Sequence, residues 1–260
     1  MPTNFLLERD TLMALGILAR AYVDFDAPIS TLAKAPHYRG FNVHCLILDN
    51  RDGEVLAVAR NQIYADEDPL QHAEQVGIRA AMKQLKAKRP RASGRTVVDY
   101  YKGDLFMEPG VTDQDFALKG CTLYNTFDPC GFCATTSLVC YMKRVAFLFA
   151  DTKFEGVYEL MKEKYFTKRD SIKQPTFVDE KGSGFVGEAS KLLVGLRRKV
   201  HDLEGVGTDL VQTLDVCRDD LAKAATLLAG LKVDALTTTG EEGKFNRRTL
   251  TDLHRMVLGI

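Results

Sequence analysis

His72-Ala73-Glu74 and Pro129-Cys130-Gly131-Phe132-Cys133 are the residues of this 260-residue chain whose types and spacing could do chemistry. His72, Cys130 and Cys133 are donors of the kind that bind zinc. Three protein donors leave a fourth tetrahedral position for water, the layout of a catalytic rather than a structural zinc. Water at such a centre is acidified toward neutrality. Glu74 supplies a carboxylate beside the metal without binding it, placed to move a proton. A Cys-x-x-Cys with a distant His could also be a structural zinc or a redox pair. A structural zinc calls for a fourth ligand, and it has no use for Glu74 beside His72.

Both halves of the motif must sit where a loop becomes a helix. The apolar positions Val76, Ala80, Met82 and Leu85 predict a helix from Ala73 to about Lys88, ended by Pro90 and Ser93-Gly94. Cys121 to Phe127 reads as a strand, Cys130 to Met142 as a helix with Pro129 suited to its start, and Val145 to Ala150 as a nearly continuous apolar strand. That β-α-β unit argues for a buried parallel pair. Helix N-termini carry a positive dipole end, which favours the thiolate form that binds zinc. Cysteines three apart share one face of the first turn.

The remaining elements are read by period. Thr3 to Tyr22 is an amphipathic helix, with Phe5, Leu6, Met13, Ile17 and Ala21 near helical spacing. Phe41 to Leu48 and Glu54 to Arg60 form a β-hairpin around Asp52-Gly53, and a polar loop from Asn61 to Gln71 leads to His72. Arg91 to Lys119 has no single pattern and holds a possible strand at Arg95 to Tyr101, then a loop around Glu108-Pro109-Gly110. Helices follow at about Glu188 to Leu203, Thr208 to Leu231 and Phe245 to Leu258, with leucine stripes that usually mean intramolecular core. The expected division is 1–166 for the motif-bearing domain with an insertion at about 91–120, 167–187 as linker, and 188–260 as a helical extension.

The bulk numbers exclude little but point one way. Lys plus Arg and Asp plus Glu are 35 each, so no global charge recruits nucleic acid or an anionic membrane. No apolar run has the length of a membrane span. The first 25 residues lack a signal-peptide layout, and a cytoplasmic location is the expectation. Six cysteines in a chain this long do not read as a disulfide framework.

The residues around the motif carry a resemblance. Thr122-Leu123-Tyr124-Asn125-Thr126-Phe127-Asp128-Pro129-Cys130 resembles the T-L-Y-V-T-x-E-P-C of the tRNA adenosine deaminase and guanine deaminase branch of the cytidine deaminase-like superfamily. Arg144-Val145-Ala146-Phe147 resembles its R-V-V-F, with Asp151 following. Asn61, Asp68-Pro69 and His72-Ala73-Glu74 keep its order, over roughly Thr11 to Tyr165. The resemblance implies an α/β fold, a three-layer α/β/α sandwich with a mixed five-stranded sheet, one Zn2+ per chain on His72, Cys130 and Cys133, and Glu74 as catalytic acid/base. It implies a nucleobase or nucleoside deaminase of the purine-metabolism kind, often a homodimer. Asn61, Ala73 and Asp151 are its implied substrate contacts; a turn asparagine after a strand is the alternative reading of Asn61. Asp128 for the usual Glu and Gly131-Phe132 for an apolar-Met pair are departures. His44 stands where the branch commonly has a small residue, and reads more simply as a core or surface histidine than as a pocket residue.

A small aminated base or nucleoside is the favoured substrate, given neutrality and extra segments able to cover a pocket. RNA is the alternative, through the basic run Arg79, Lys83, Lys86, Lys88, Arg89, Arg91 and Arg95, which contains no acid. Tyr100, Tyr101 and Phe106 could stack on bases. A solvated helix face explains the run as well. A third reading is a catalytically idle scaffold that binds a partner through its C-terminal helices.

Overall fold

A computed structural model of the chain describes residues 4–26, 42–88, 118, 120–140, 142–150, 157, 160, 184–205 and 217–260. Among them α1 (Asn4–Asp26) precedes a hairpin of β1 (His44–Asp49) and β2 (Val55–Arg60), a short α2 (Ile63–Asp66) and α3 (Ala73–Lys88). Then come β3 (Cys121–Phe127), α4 (Gly131–Val139) and β4 (Arg144–Phe149). Three further helices follow, α5 (Gly184–Gly205), α6 (Arg218–Gly230) and α7 (Gly240–Leu253), the last running into a π turn, His254–Leu258.

The strands form one mixed four-stranded sheet in the order β2-β1-β3-β4. β1 is antiparallel to β2 and to β3, with Cys45 opposite Asn125, and β3 is parallel to β4, with Thr122 beside Arg144. The expected hairpin and the parallel β-α-β pair are therefore both present. The expected fifth strand has no counterpart among the described residues, and the span Arg95 to Tyr101 lies outside them.

Period-two alternation splits the sheet's side chains between two apolar clusters. Cys45, Ile47, Ala57, Leu123 and Val145 face α3 and α4, with Ile78, Ala81, Leu85, Ala134 and Leu138. Leu46, Leu48, Val55, Tyr124, Ala146 and Leu148 face α1, whose Leu12 to Leu18 stretch is buried, and the helices α5, α6 and α7. The leucine stripes of the C-terminal helices end in this second cluster: Leu196, Val200, Leu221 and Leu228 are buried in it.

Several boundaries differ from expectation. α5 starts at Gly184, inside the stretch read as linker. α4 ends at Val139 because the chain turns at Cys140 to reach β4. The polar loop before His72 contains α2. In α3 the buried face is Gly77, Ile78, Ala81 and Leu85, whereas Ala80 and Met82 are exposed. The true stripe follows i, i+4 and i+8 through small residues that an apolar count overlooks.

Two glycines are required by space. Gly53 takes φ +78° in the hairpin turn, and a Cβ there would fall 2.5 Å from the Phe245 carbonyl oxygen. Gly77 lets α3 close onto β1, since a Cβ would fall 2.6 Å from Cys45 Sγ. α7 locks the same hairpin: Thr249 Oγ1 donates to the Gly53 carbonyl at 2.8 Å, and the Val55 N–H donates to Asp252 Oδ2 at 3.1 Å.

Candidate metal centre

Two helix starts meet beside the C-terminal end of β3. His72 immediately precedes α3, and its carbonyl accepts the Val76 N–H at 3.0 Å. Cys130 caps α4 in extended conformation (φ −60°, ψ 166°), and its carbonyl accepts the Ala134 N–H at 2.8 Å. Pro129 thus stands one residue outside the cap instead of in the first helical position, where it holds Asp128 extended. Cys133 lies in the first turn of α4, fully buried, while His72 and Cys130 are half-buried.

The donor atoms of His72, Cys130 and Cys133 all lie within 4.8 Å of one another. Cys130 Sγ is 3.8 Å from His72 Nδ1. Donors on a tetrahedral zinc are about 3.6–3.8 Å apart, from bond lengths near 2.1 Å to nitrogen and 2.3 Å to sulfur. The cluster fits the ion by distance and by donor chemistry. The hydrogen bond from Cys133, aided by His72, pulls the Cys130 thiol down to about 4. The same bond and burial push Cys133 far up. His72 is raised by its bond with Cys130. Two helix starts and a thiol with a lowered pKa make a donor cluster suited to a cation that takes nitrogen and sulfur ligands.

Glu74 is 4% exposed. Burial raises its carboxyl above the usual range against a hydrogen bond from Asn125. Asn125 Nδ2 donates to Glu74 Oε1 at 2.7 Å and to the Phe127 carbonyl at 3.0 Å. Gln75, the next residue, points its amide across to α4, donating to Thr136 Oγ1 at 2.8 Å and to Cys133 Sγ at 3.9 Å. The sequence reading missed both amides. Asn125 was detectable, because a polar residue stands where the quoted pattern has Val. Gln75 carried no signal before α3 and α4 were brought together.

The other expected contacts are distributed as follows. Asn61 is buried at the end of β2, and its Oδ1 accepts the Ile63 N–H at 3.1 Å, as a turn asparagine would. Its own N–H donates to the Val43 carbonyl at 2.9 Å. Ala73 is fully buried, and its carbonyl accepts from the Cys45 thiol at 3.1 Å. Asp151 lies outside the described residues. His44 is buried against α1 with Nε2 2.9 Å from Asp24 Oδ2, which is the core reading. Of the basic run, Lys83 and Lys86 are exposed on α3, Lys88 pairs with Glu54, and Arg79 donates to the Gln75 and Leu70 carbonyls. Arg89, Arg91, Arg95, Tyr100, Tyr101 and Phe106 lie outside the described residues. Phe132, between the two cysteines, is 45% exposed and meets His72 edge to face at 5.8 Å. No described helix is long and apolar enough to cross a membrane.

Residues 26–149 match the family described as cytidine and deoxycytidylate deaminase zinc-binding region. A tRNA-specific adenosine deaminase from Aquifex aeolicus (strain VF5) is 26% identical over 107 residues, covering 41% of this chain. The match spans about half of that relative's length, 52%. A solved structure from a study of A-to-I editing by tRNA:A34 deaminases at the wobble position of transfer RNA is similar at 22% identity. It covers 53% of this chain and 78% of that one, with a TM-score of 0.33. Residues 26–149 are thus similar to a deaminase zinc-binding region, and His72, Cys130 and Cys133 lie within that stretch.

Proposed function

We propose that this chain is a zinc-dependent hydrolytic deaminase, exchanging a ring amino group of a nucleobase, nucleoside or related heterocycle for oxygen and releasing ammonia. One observation carries the reading: three zinc donors within 4.8 Å of one another, with the buried Glu74 two residues from His72. A structural zinc or a redox pair would not need that carboxylate.

His72, Cys130 and Cys133 would hold the ion. When bound, it acidifies a water at its open fourth position. Glu74 would take one proton from the attacking water and pass it to the ring nitrogen, then take the second from the hydroxyl left on the ring carbon and pass it to the departing amine. The balance is one water in, one ammonia out. Asn61, the backbone at Ala73, and Asp151 are the proposed substrate contacts. The fifth strand, the full three-layer sandwich, a deaminase domain ending near residue 166 followed by a helical extension, cytoplasmic location and a homodimer belong to the same proposal.

A second reading has the base presented within RNA. The similarity to a tRNA-specific adenosine deaminase supports it, as do the exposed Lys83 and Lys86 on α3. It stands level with the free-compound reading.

The test is ammonia release by zinc-quantified protein, with Glu74→Gln as control. One arm holds free bases, nucleosides and nucleotides; the other holds RNA and DNA oligomers. Glu74→Gln keeps its zinc and loses about 10²–10⁴-fold in rate, the usual share of a general acid/base. Release from neither arm with one zinc per chain sinks the enzyme and leaves the scaffold.

A further inference from the structure

β3 carries an asparagine where strands disfavour one. Asn125 is fully buried, in the middle of the sheet, on the face that packs against α3. In the quoted pattern this position is Val, a residue suited to a buried strand. A buried amide there calls for a reason, and the hydrogen bonds give one. Both hydrogens of Nδ2 are committed, one to Glu74 Oε1 at 2.7 Å and one to the Phe127 carbonyl at 3.0 Å. Oδ1 is buried with no hydrogen-bond partner among the described residues.

That pattern fixes the amide's orientation. A flipped amide would set Oδ1 against two acceptors, the Phe127 carbonyl and the Glu74 carboxylate. The Phe127 carbonyl belongs to the end of β3, three residues before Cys130. One planar group therefore ties the carboxylate on the His72 helix to the strand that delivers the cysteine ligands. A buried oxygen left unpartnered is destabilising, and such a sacrifice is expected where function requires the opposite end of the amide.

We propose that Asn125 is the positioning residue for Glu74: it holds Oε1 and fixes the carboxylate relative to the segment that carries Cys130 and Cys133. The inference rests on the deaminase reading above. Residues that orient the groups around a metal affect activity by about 10–100-fold when removed.

The test is a double-mutant cycle on the zinc-loaded full chain, with Asn125→Leu, Glu74→Ala and the double variant. Leu matches Asn in size and lacks its donors. Asn125→Leu lowers the melting temperature by about 3–8 °C when Glu74 is present, because a buried carboxylate loses its donor. In the Glu74→Ala background the loss falls below half of that. Zinc stays at one per chain. With a substrate in hand, kcat drops 10–100-fold while KM moves less than about 3-fold. Equal melting losses in the two backgrounds, or an unchanged kcat, overturn the proposal. If Asn125→Leu does not fold, Asn125→Ser enters the same cycle, having no donor long enough to reach Glu74. Absence of any deamination by the native chain would remove the deaminase reading, and the thermal cycle would still decide whether Asn125 and Glu74 are coupled.

Discussion

Arg144 at the head of β4 grips both carboxylate oxygens of Asp10 on α1, Nη1 to Oδ1 at 3.0 Å and Nη2 to Oδ2 at 2.7 Å. Tyr124 Oη donates to Oδ1 at 2.5 Å, and Arg9 adds Nε and Nη2. Burial alone would raise the Asp10 carboxyl; the Arg144 bonds and the Arg9 charge overcome it and hold it below the usual range. The cluster spans the sheet face opposite the zinc donors and pins α1 to the β-α-β unit that carries Cys130 and Cys133.

Asp10→Ala leaves two guanidinium groups and a phenol buried against one another without their acceptor. Removing one partner of a buried ionic cluster costs about 3–5 kcal/mol. Urea unfolding of the variant should show that loss, with zinc stoichiometry unchanged in the protein that remains folded. A loss under about 1 kcal/mol would mean that water already screens the cluster.

Glu8 makes the stability pH-dependent. Its carboxylate accepts from the Thr237 N–H at 2.6 Å, from the hydroxyls of Thr237 and Thr238, and from Asn246 Nδ2 at 3.1 Å. Burial pushes its carboxyl up, but those hydrogen bonds outweigh it, and the net direction is downward from 4.5. A carboxyl depressed in the folded state adds stability that is complete above its unfolded pKa and is lost as pH falls through the folded one. Stability should therefore drop below about pH 4.5. Asp10 and Asp24 act in the same direction, so the comparison is with Glu8→Gln. That variant should be less stable at pH 7, by about 1–3 kcal/mol, and should lose less between pH 5 and pH 3. Parallel pH curves for the two proteins would dismiss Glu8 as a contributor.

Much of this arrangement was legible in advance for local reasons. α3 and the β3-α4-β4 unit follow from period, β-formers and helix-start residues within one stretch each, and the zinc donors follow from residue type. What escaped depends on distant pairing. Glu8 meets Thr237 and Thr238 across more than two hundred residues of chain, and no local pattern announces that. The helices after Gly184 looked like an appendage because their leucine stripes do not say which surface they cover; they cover the sheet, beside α1. Met82 misled because it is apolar and exposed, while Gly77 and Ala81 form the contact.

Gln75 offers a test of the metal centre that does not need a substrate. Its amide donates to Thr136 Oγ1 at 2.8 Å and to Sγ of the candidate ligand Cys133 at 3.9 Å, joining α3 to α4 beside the donor cluster. Groups that hydrogen-bond to metal ligands set their orientation, and their loss lowers affinity about 10–100-fold. Gln75→Leu should weaken zinc binding by that factor in competition with a chromogenic chelator, with the helical circular dichroism unchanged. Native affinity in the variant would make Gln75 a helix-to-helix bridge only.

Gly77 sets how closely the His72-Glu74 helix approaches the sheet. A Cβ at this position would lie 2.6 Å from Cys45 Sγ, too short for any real contact, and 3.5 Å from the Ala59 Cβ, which is ordinary. The obstacle is thus one sulfur atom. Cys45 cannot swing away freely, since its thiol is fully buried and donates to the Ala73 carbonyl. Gly77→Ala gains up to about 1 kcal/mol in helix propensity but overpacks a close interface, typically about 1–3 kcal/mol. The expected net is a loss of about 1 kcal/mol, accompanied by a weaker zinc site because the start of α3 shifts from β1. Adding Cys45→Ala removes the sulfur and should restore part of both, so the two substitutions should couple favourably in a cycle of unfolding free energies. If the double variant is instead less stable than the sum of the singles, the close approach at Gly77 is not what holds α3 against β1.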